Sequence, residues 1–139
     1  MERRTPTQKQ IELLLRFKIP VLPTTCMACS SLLSFILSGS ESCGRTPHQR
    51  ARFVRKWFGS WVEVVDRGSP FFRLVGTVER LRMRTEEERG RIREKHNVTP
   101  LPFDLVVRFE TGRPAPPYIL PLSAVKIVKD AEQLLLFDP

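Results

Sequence analysis

The stretch Thr46 to Gly59, TPHQRARFVRKWFG, constrains this chain most, because it joins two halves whose hydrophobic periods differ. Thr46 suits an N-cap, Pro47 the first helical position, and Gln49 completes a capping box. Ala51, Phe53, Val54, Trp57 and Phe58 recur at helical spacing, so one face is apolar. Arg50, Arg52, Arg55 and Lys56 fall mainly on the other face, and Gly59 supplies a stop. The spacing therefore predicts an amphipathic basic helix over 46–59. Its cations face solvent, either as a plain solvated surface or as a surface for nucleic-acid phosphate.

Upstream of this helix the period is helical. Thr5-Pro6-Thr7-Gln8 repeats the same capping grammar and opens a helix to about Phe17. Ile11, Leu14, Leu15 and Lys18 form its expected stripe. Ile19-Pro20-Val21-Leu22-Pro23 breaks it, since proline removes a donor and restricts the residue before it. Thr24 or Thr25 then caps a helix over roughly 26–37, with Cys29, Leu32, Leu33 and Ile36 inward. Ser38 to Ser42 reads as a loop.

Downstream the period changes to that of strands. Trp61 to Asp66 alternates, Arg67-Gly68-Ser69-Pro70 is turn chemistry, and Phe72 to Leu81 reads as a second strand. Gly76 marks a bulge or bend within it. Thr85-Glu86-Glu87-Glu88 caps a charged helix to about His96, with acids first and bases last, as the helix dipole favours. It has little apolar face, which suits an exposed insertion. Phe103 to Glu110 is the clearest strand, followed by Tyr118 to Leu122 and Val125 to Val128. The expected fold class is α+β: a basic helical module over 1–59, a five-stranded β-barrel over 60–129 with a charged helical insertion at 85–96, and a tail over 130–139.

Charge separates the same halves. Through Ser60 there are ten Lys and Arg against three Asp and Glu, a net +7; from Trp61 onward thirteen against twelve, a net +1. A concentrated excess of this kind favours an anionic partner, and arginine in particular suits bidentate phosphate contacts. Arg45, Arg50, Arg52, Arg55 and Lys56 are the candidate nucleic-acid contacts. Phe53 and Trp57 lie among them, where aromatics can stack bases, but their shared apolar face favours core packing. The segment MERRTPTQKQ lacks the apolar core of a signal peptide. No apolar run approaches the roughly 20 residues that span a bilayer. The reading is a cytoplasmic protein without a membrane partner or a small-molecule substrate.

Cys26-x-x-Cys29, Cys43 and His48 form a C-x2-C-x13-C-x4-H series that suits a structural zinc ion. The alternative is packed thiols, since free cysteine behaves as a small buried hydrophobe. A thioredoxin-like C-x-x-C enzyme would need a preceding strand, and none is predicted. There is no Gly-rich phosphate loop, H-E-x-x-H or G-x-S-x-G, and no His, Ser and acid set is singled out. The expectation is a protein that is not an enzyme and has no cofactor, zinc being the alternative.

Three resemblances add to this. The order T-x-x-Q, leucines, a proline break, then T-x-x-x-A-S-x-L-I resembles a SAP-like, short helix–turn–helix module of bacterial and phage DNA-processing proteins. It rests on Thr7, Gln10, Leu14, Thr25, Ser30, Leu32, Leu33 and Ile36, departs from the pattern at Cys29, and implies DNA association. The runs G-T-V, V-R-F-E and L-S-A-V-K-I-V, with a break at Ser123-Ala124 before the last strand, resemble an SH3-like barrel. That superfold serves in many complexes and does not fix a function. Gln133-Leu134-Leu135-Leu136-Phe137 resembles the Q-L-x-L-F peptide by which bacterial replication and repair proteins bind the β sliding clamp, which implies contacts by Gln133, Leu134, Leu136 and Phe137. The expected function is a DNA-associated accessory protein. The alternative is an SH3-like docking subunit of a larger protein or ribonucleoprotein complex.

Overall fold

The computed structural model describes residues 4–97, 100–110 and 116–129. Among them lie four α-helices and five strands in a mixed α+β arrangement: α1 Gln8–Arg16, α2 Cys26–Ser38, α3 Pro47–Arg55, β1 Trp61–Val64, β2 Val75–Met83, α4 Glu86–His96, β3 Phe103–Phe109, β4 Tyr118–Leu120 and β5 Val125–Lys129. The chain divides into two compact units, Met1–Arg55 with Met83–Pro102, and Lys56–Arg82 with Phe103–Pro139.

Capping chemistry sets the helix starts. Thr7 caps α1, and Gln10 returns the bond to the Thr7 N–H. The cap therefore sits two residues later than a Thr5 start. Thr25 caps α2, and Thr85 with Glu88 forms the box that opens α4. At α3, Thr46 Oγ1 accepts from the Gln49 N–H at 3.2 Å while Gln49 Oε1 accepts from the Thr46 N–H at 3.2 Å. In each case the side chain satisfies a donor that the first helical turn leaves orphaned.

The ends are less regular. Helix α1 closes in a Schellman-type turn: the Lys18 N–H donates to Leu15 O and the Ile19 N–H to Leu14 O. This places Lys18 at φ +62°, a left-handed conformation that costs a lysine about 1–2 kcal/mol. Lys18→Gly is accordingly expected to stabilise the protein by about 1 kcal/mol, read as a higher urea midpoint with an unchanged m-value. Helix α3 stops at Arg55, four residues short of Gly59. Gly59 lies at φ +71° and donates its N–H to Val78 O, so it pairs with β2 and is not part of the helix end.

The helical unit packs Leu14, Phe17, Leu32, Leu33, Ile36 and Val54 into its core. The inward set expected on α2 is buried throughout. On α1, Leu15 is 56% exposed, because Leu14 rather than Leu15 lies at the centre of the buried stripe.

The sheet has the order β4-β3-β2-β1-β5. Antiparallel β1 and β2 pair Trp61 with Thr77 and Val62 with Gly76. Strand β5 returns antiparallel to the other side of β1, and β4 pairs with β3 through Leu105–Leu120 and Val107–Tyr118. Strands β4 and β5 stand at opposite ends of the order, so among the described residues the sheet is open. The expected closure into a barrel is not found. Val62, Val64 and Val78 are buried at alternate positions of β1 and β2, whereas β3 is buried continuously from Phe103 to Val107.

Strand β2 begins at Val75, not Phe72. The Phe72 N–H bonds Ser69 O and the Leu74 N–H bonds Phe71 O, so Ser69 to Leu74 coils into a tight turn before the strand begins. The expected break before the last strand is present as a 3-10 turn over Leu122–Ala124.

Candidate nucleic-acid interface

The cations of α3 divide by depth. Arg50 lies on the buried stripe with Ala51 and Val54 and is only 5% exposed. Its Nε donates to Ile36 O at 2.7 Å, Nη2 to Leu37 O at 3.0 Å and Nη1 to Gly44 O at 2.9 Å. Ile36 and Leu37 belong to the last turn of α2, where helical carbonyls lack an intrahelical partner and a positive charge is favoured. Arg50 is thus a side-chain cap of α2. The expectation that it contacts phosphate is corrected: all three of its nitrogens face backbone carbonyls in the interior.

His48, Arg52 and Arg55 stand at i, i+4 and i+7 and therefore share one face of α3. His48 and Arg52 are exposed and Arg55 is half-buried. This face meets the end of α1. The His48 ring lies edge-on to Phe17, centroids 5.7 Å apart, and Arg55 Nη1 donates to Phe17 O at 2.8 Å. That bond engages one of the five donors of the guanidinium, so Arg55 retains donors for an anion.

Phe17 is flanked by Arg16 and Lys18, both exposed. These two cations and His48 were missed as candidate contacts, and Lys18 was expected on the inward stripe. The signal that could have found them is the run Arg16-Phe17-Lys18 at a helix end, where bases gather and a left-handed turn throws the side chain outward. Helix α3 contains no acidic residue of its own.

Arg45 is exposed just before α3, its backbone N–H held by Gln49 Oε1 at 2.7 Å. Lys56 begins the sheet unit. Its ammonium sits 5.5 Å from the Trp57 ring centroid, a cation–π contact. Trp57 and Phe58 are buried, and Phe53 packs near Phe35 with centroids 6.1 Å apart. Core packing thus takes the aromatics that alternate with these cations.

The proposed zinc ligands are not brought together. Cys26 and Cys29 share the first turn of α2, with Cys29 buried and its Sγ donating to Pro23 O at 3.6 Å. Cys43 lies in a 3-10 turn beyond the far end of that helix, and His48 turns its ring to Phe17. Among the described residues no three His, Cys, Asp or Glu side chains form a group able to hold a metal. The helix between Cys29 and Cys43 separates the two halves of the expected set, which corrects the zinc alternative.

Gln133, Leu134, Leu136 and Phe137 lie outside the described residues. No described helix is long and apolar enough to cross a membrane. Comparison with protein-family models, curated proteins and solved structures gives no match.

Proposed function

We propose that this chain is a non-enzymatic accessory protein that associates with nucleic acid, DNA being the favoured partner. The observation that carries the reading is the clustering of cations about the end of α1, where His48, Arg52 and Arg55 of α3, a helix with no acidic residue in its own sequence, share one face that meets Phe17 between Arg16 and Lys18. Cations on one face attract phosphate and release its counterions. Binding of this kind is salt-sensitive and tolerant of sequence. The resemblance of the first two helices to SAP-like modules points to the same partner.

The sheet unit is read as SH3-like. Its meander from β1 to β4, with β5 returning beside β1 after a 3-10 turn, supports that reading. It serves here as a scaffold or protein contact. The C-terminal Q-L-L-L-F is read as a recruitment peptide for the β sliding clamp, anchored by leucine and phenylalanine in apolar pockets.

Fluorescence anisotropy with labelled single- and double-stranded DNA and RNA across a salt series tests the main reading. Log affinity is expected to fall linearly with log salt. Arg45→Ala and Arg52→Ala are each expected to reduce the slope on duplex DNA by about 0.9. No binding at low salt would leave the docking-subunit reading in its place. For the tail, the double variant Leu136→Ala, Phe137→Ala is expected to abolish clamp binding and leave the thermal unfolding curve in place. Unchanged clamp affinity in that variant removes the recruitment role.

A further inference from the structure

Cys26 and Cys29 occupy the first and fourth positions of α2, three residues apart and on one face of the helix. This spacing brings two Cα atoms within the range that a disulfide spans. Their surroundings differ. Cys26 is half-buried, whereas Cys29 is fully buried and donates its thiol to Pro23 O.

The turn that carries them is fixed on three sides. Thr25 Oγ1 accepts from the Ala28 N–H at 3.1 Å. The Cys26 N–H donates to Arg4 O at 2.8 Å. Gln10 Nε2 donates to Cys26 O at 3.2 Å, which ties the turn to α1. Cys43 lies past the other end of a helix about 20 Å long, so it is not a competing partner for Cys26.

We propose that Cys26 and Cys29 form a reversible dithiol–disulfide pair that exchanges with low-molecular-weight disulfides of the glutathione type. Accessibility sets the order of events. The Cys26 thiol loses its proton to solvent, and the thiolate attacks one sulfur of the small disulfide. This forms a mixed disulfide and expels the first small thiolate. Cys29 then gives up its proton and attacks the Cys26 sulfur, which closes the protein disulfide and expels the second small thiolate. Two protein thiols are oxidised, one disulfide is reduced to two thiols, and the two protons end on the released thiolates.

The assignment of Cys29 to the second step has two supports. Its sulfur is out of reach of a dissolved disulfide. Burial, and secondarily the neighbouring Cys26, also hold its thiol above the usual cysteine range, so it stays protonated until a partner sulfur is beside it. Closure removes the donor that now bonds Pro23 O. It also cross-links the turn to which Arg4 and Gln10 are bonded, and so reports on the base of the helical unit. This is a modification site on a binding protein and needs no oxidoreductase fold.

The test uses the full chain, incubated with oxidised glutathione, then alkylated, digested with chymotrypsin and mapped by mass spectrometry. Chymotrypsin cleaves within the leucine and phenylalanine run of α2 and so parts the Cys26–Cys29 peptide from Cys43. A peptide lacking two hydrogens and carrying no alkyl group at either position is expected, and dithiothreitol should reverse it. Cys29→Ser should leave glutathione stranded on Cys26, and Cys43→Ser should change nothing. The unsubstituted protein decides even if a variant fails to fold. Glutathione retained on Cys26 beside an alkylated Cys29, a Cys26–Cys43 link, or an unreacted pair would each overturn the proposal.

Discussion

Arg50→Ala is expected to lose about 3–5 kcal/mol of folding stability, a large share of the roughly 5–15 kcal/mol that holds a typical domain together. Three backbone carbonyls, Ile36 O, Leu37 O and Gly44 O, would lose a charged donor. With the guanidinium gone, alanine fills little of the space, and buried acceptors left without partners retain their desolvation cost. Arg50→Lys should fall between, because an ammonium keeps the charge but cannot reproduce a planar fork reaching three acceptors.

Far-UV circular dichroism in a urea titration follows the helices. Tryptophan fluorescence follows the sheet unit, since Trp57 and Trp61 both belong to it. A loss below about 0.5 kcal/mol, the range of ordinary surface changes, would show that Arg50 does not cap α2. The result also bears on binding assays: a nucleic-acid defect in an Arg50 variant would report lost structure, whereas Arg45 and Arg52 report contact.

Gly76→Ala is expected to destabilise the sheet unit by about 1–3 kcal/mol, and Gly76→Val by more. A Cβ at this position would come within 2.6 Å of Val107 Cγ1, 2.9 Å of Arg108 O and 2.9 Å of Phe109 Cδ1. One of these is a backbone atom of β3, so a side-chain rotation alone does not relieve the clash. The tryptophan-monitored unfolding midpoint should fall while the m-value stays constant. An unchanged midpoint for Gly76→Val would mean that β2 and β3 do not approach as closely as described.

Local chemistry carried most of the secondary structure. T-x-x-Q and T-x-x-E place a side-chain acceptor and its reciprocal partner three residues apart, and Thr46–Gln49 and Thr85–Glu88 mark helix starts as read from the chain. The first box was read two residues early. Both Thr5 and Thr7 fit the pattern, and the choice was decided by Gln10, which bonds the Thr7 N–H as well as Cys26 O. The strand period of β1 was equally legible, because Val62 and Val64 alternate inward whatever their partners.

What escaped the sequence depends on distant atoms. An arginine on an amphipathic helix reads as solvated, and nothing adjacent to Arg50 discloses that α2 ends against it. Gly76 read as a bend because glycine commonly marks one; its register with Val62 is regular, and the reason for it lies across the sheet in Val107 and Arg108. Gly59 read as the stop of α3, but the helix ends four residues earlier and Gly59 bonds Val78, nineteen residues beyond it, a partner that no helix-stop grammar includes. The candidate interface divided similarly: the face bearing Arg52 was visible from period alone, while Arg16 and Lys18 join it only because α1 ends beside α3.

The division of the chain also governs how the protein can be made. The backbone passes between the two units at 55/56, again at 82/83 and again at 102/103, so neither is a single uninterrupted piece of sequence. During synthesis the helical unit is incomplete until residue 102 has left the ribosome, by which time β1 and β2 are already outside and waiting for β3 to β5. A gene fragment ending after α3 would therefore encode a helical unit without its 83–102 segment. One starting at β1 would carry that segment into a sheet to which it does not belong.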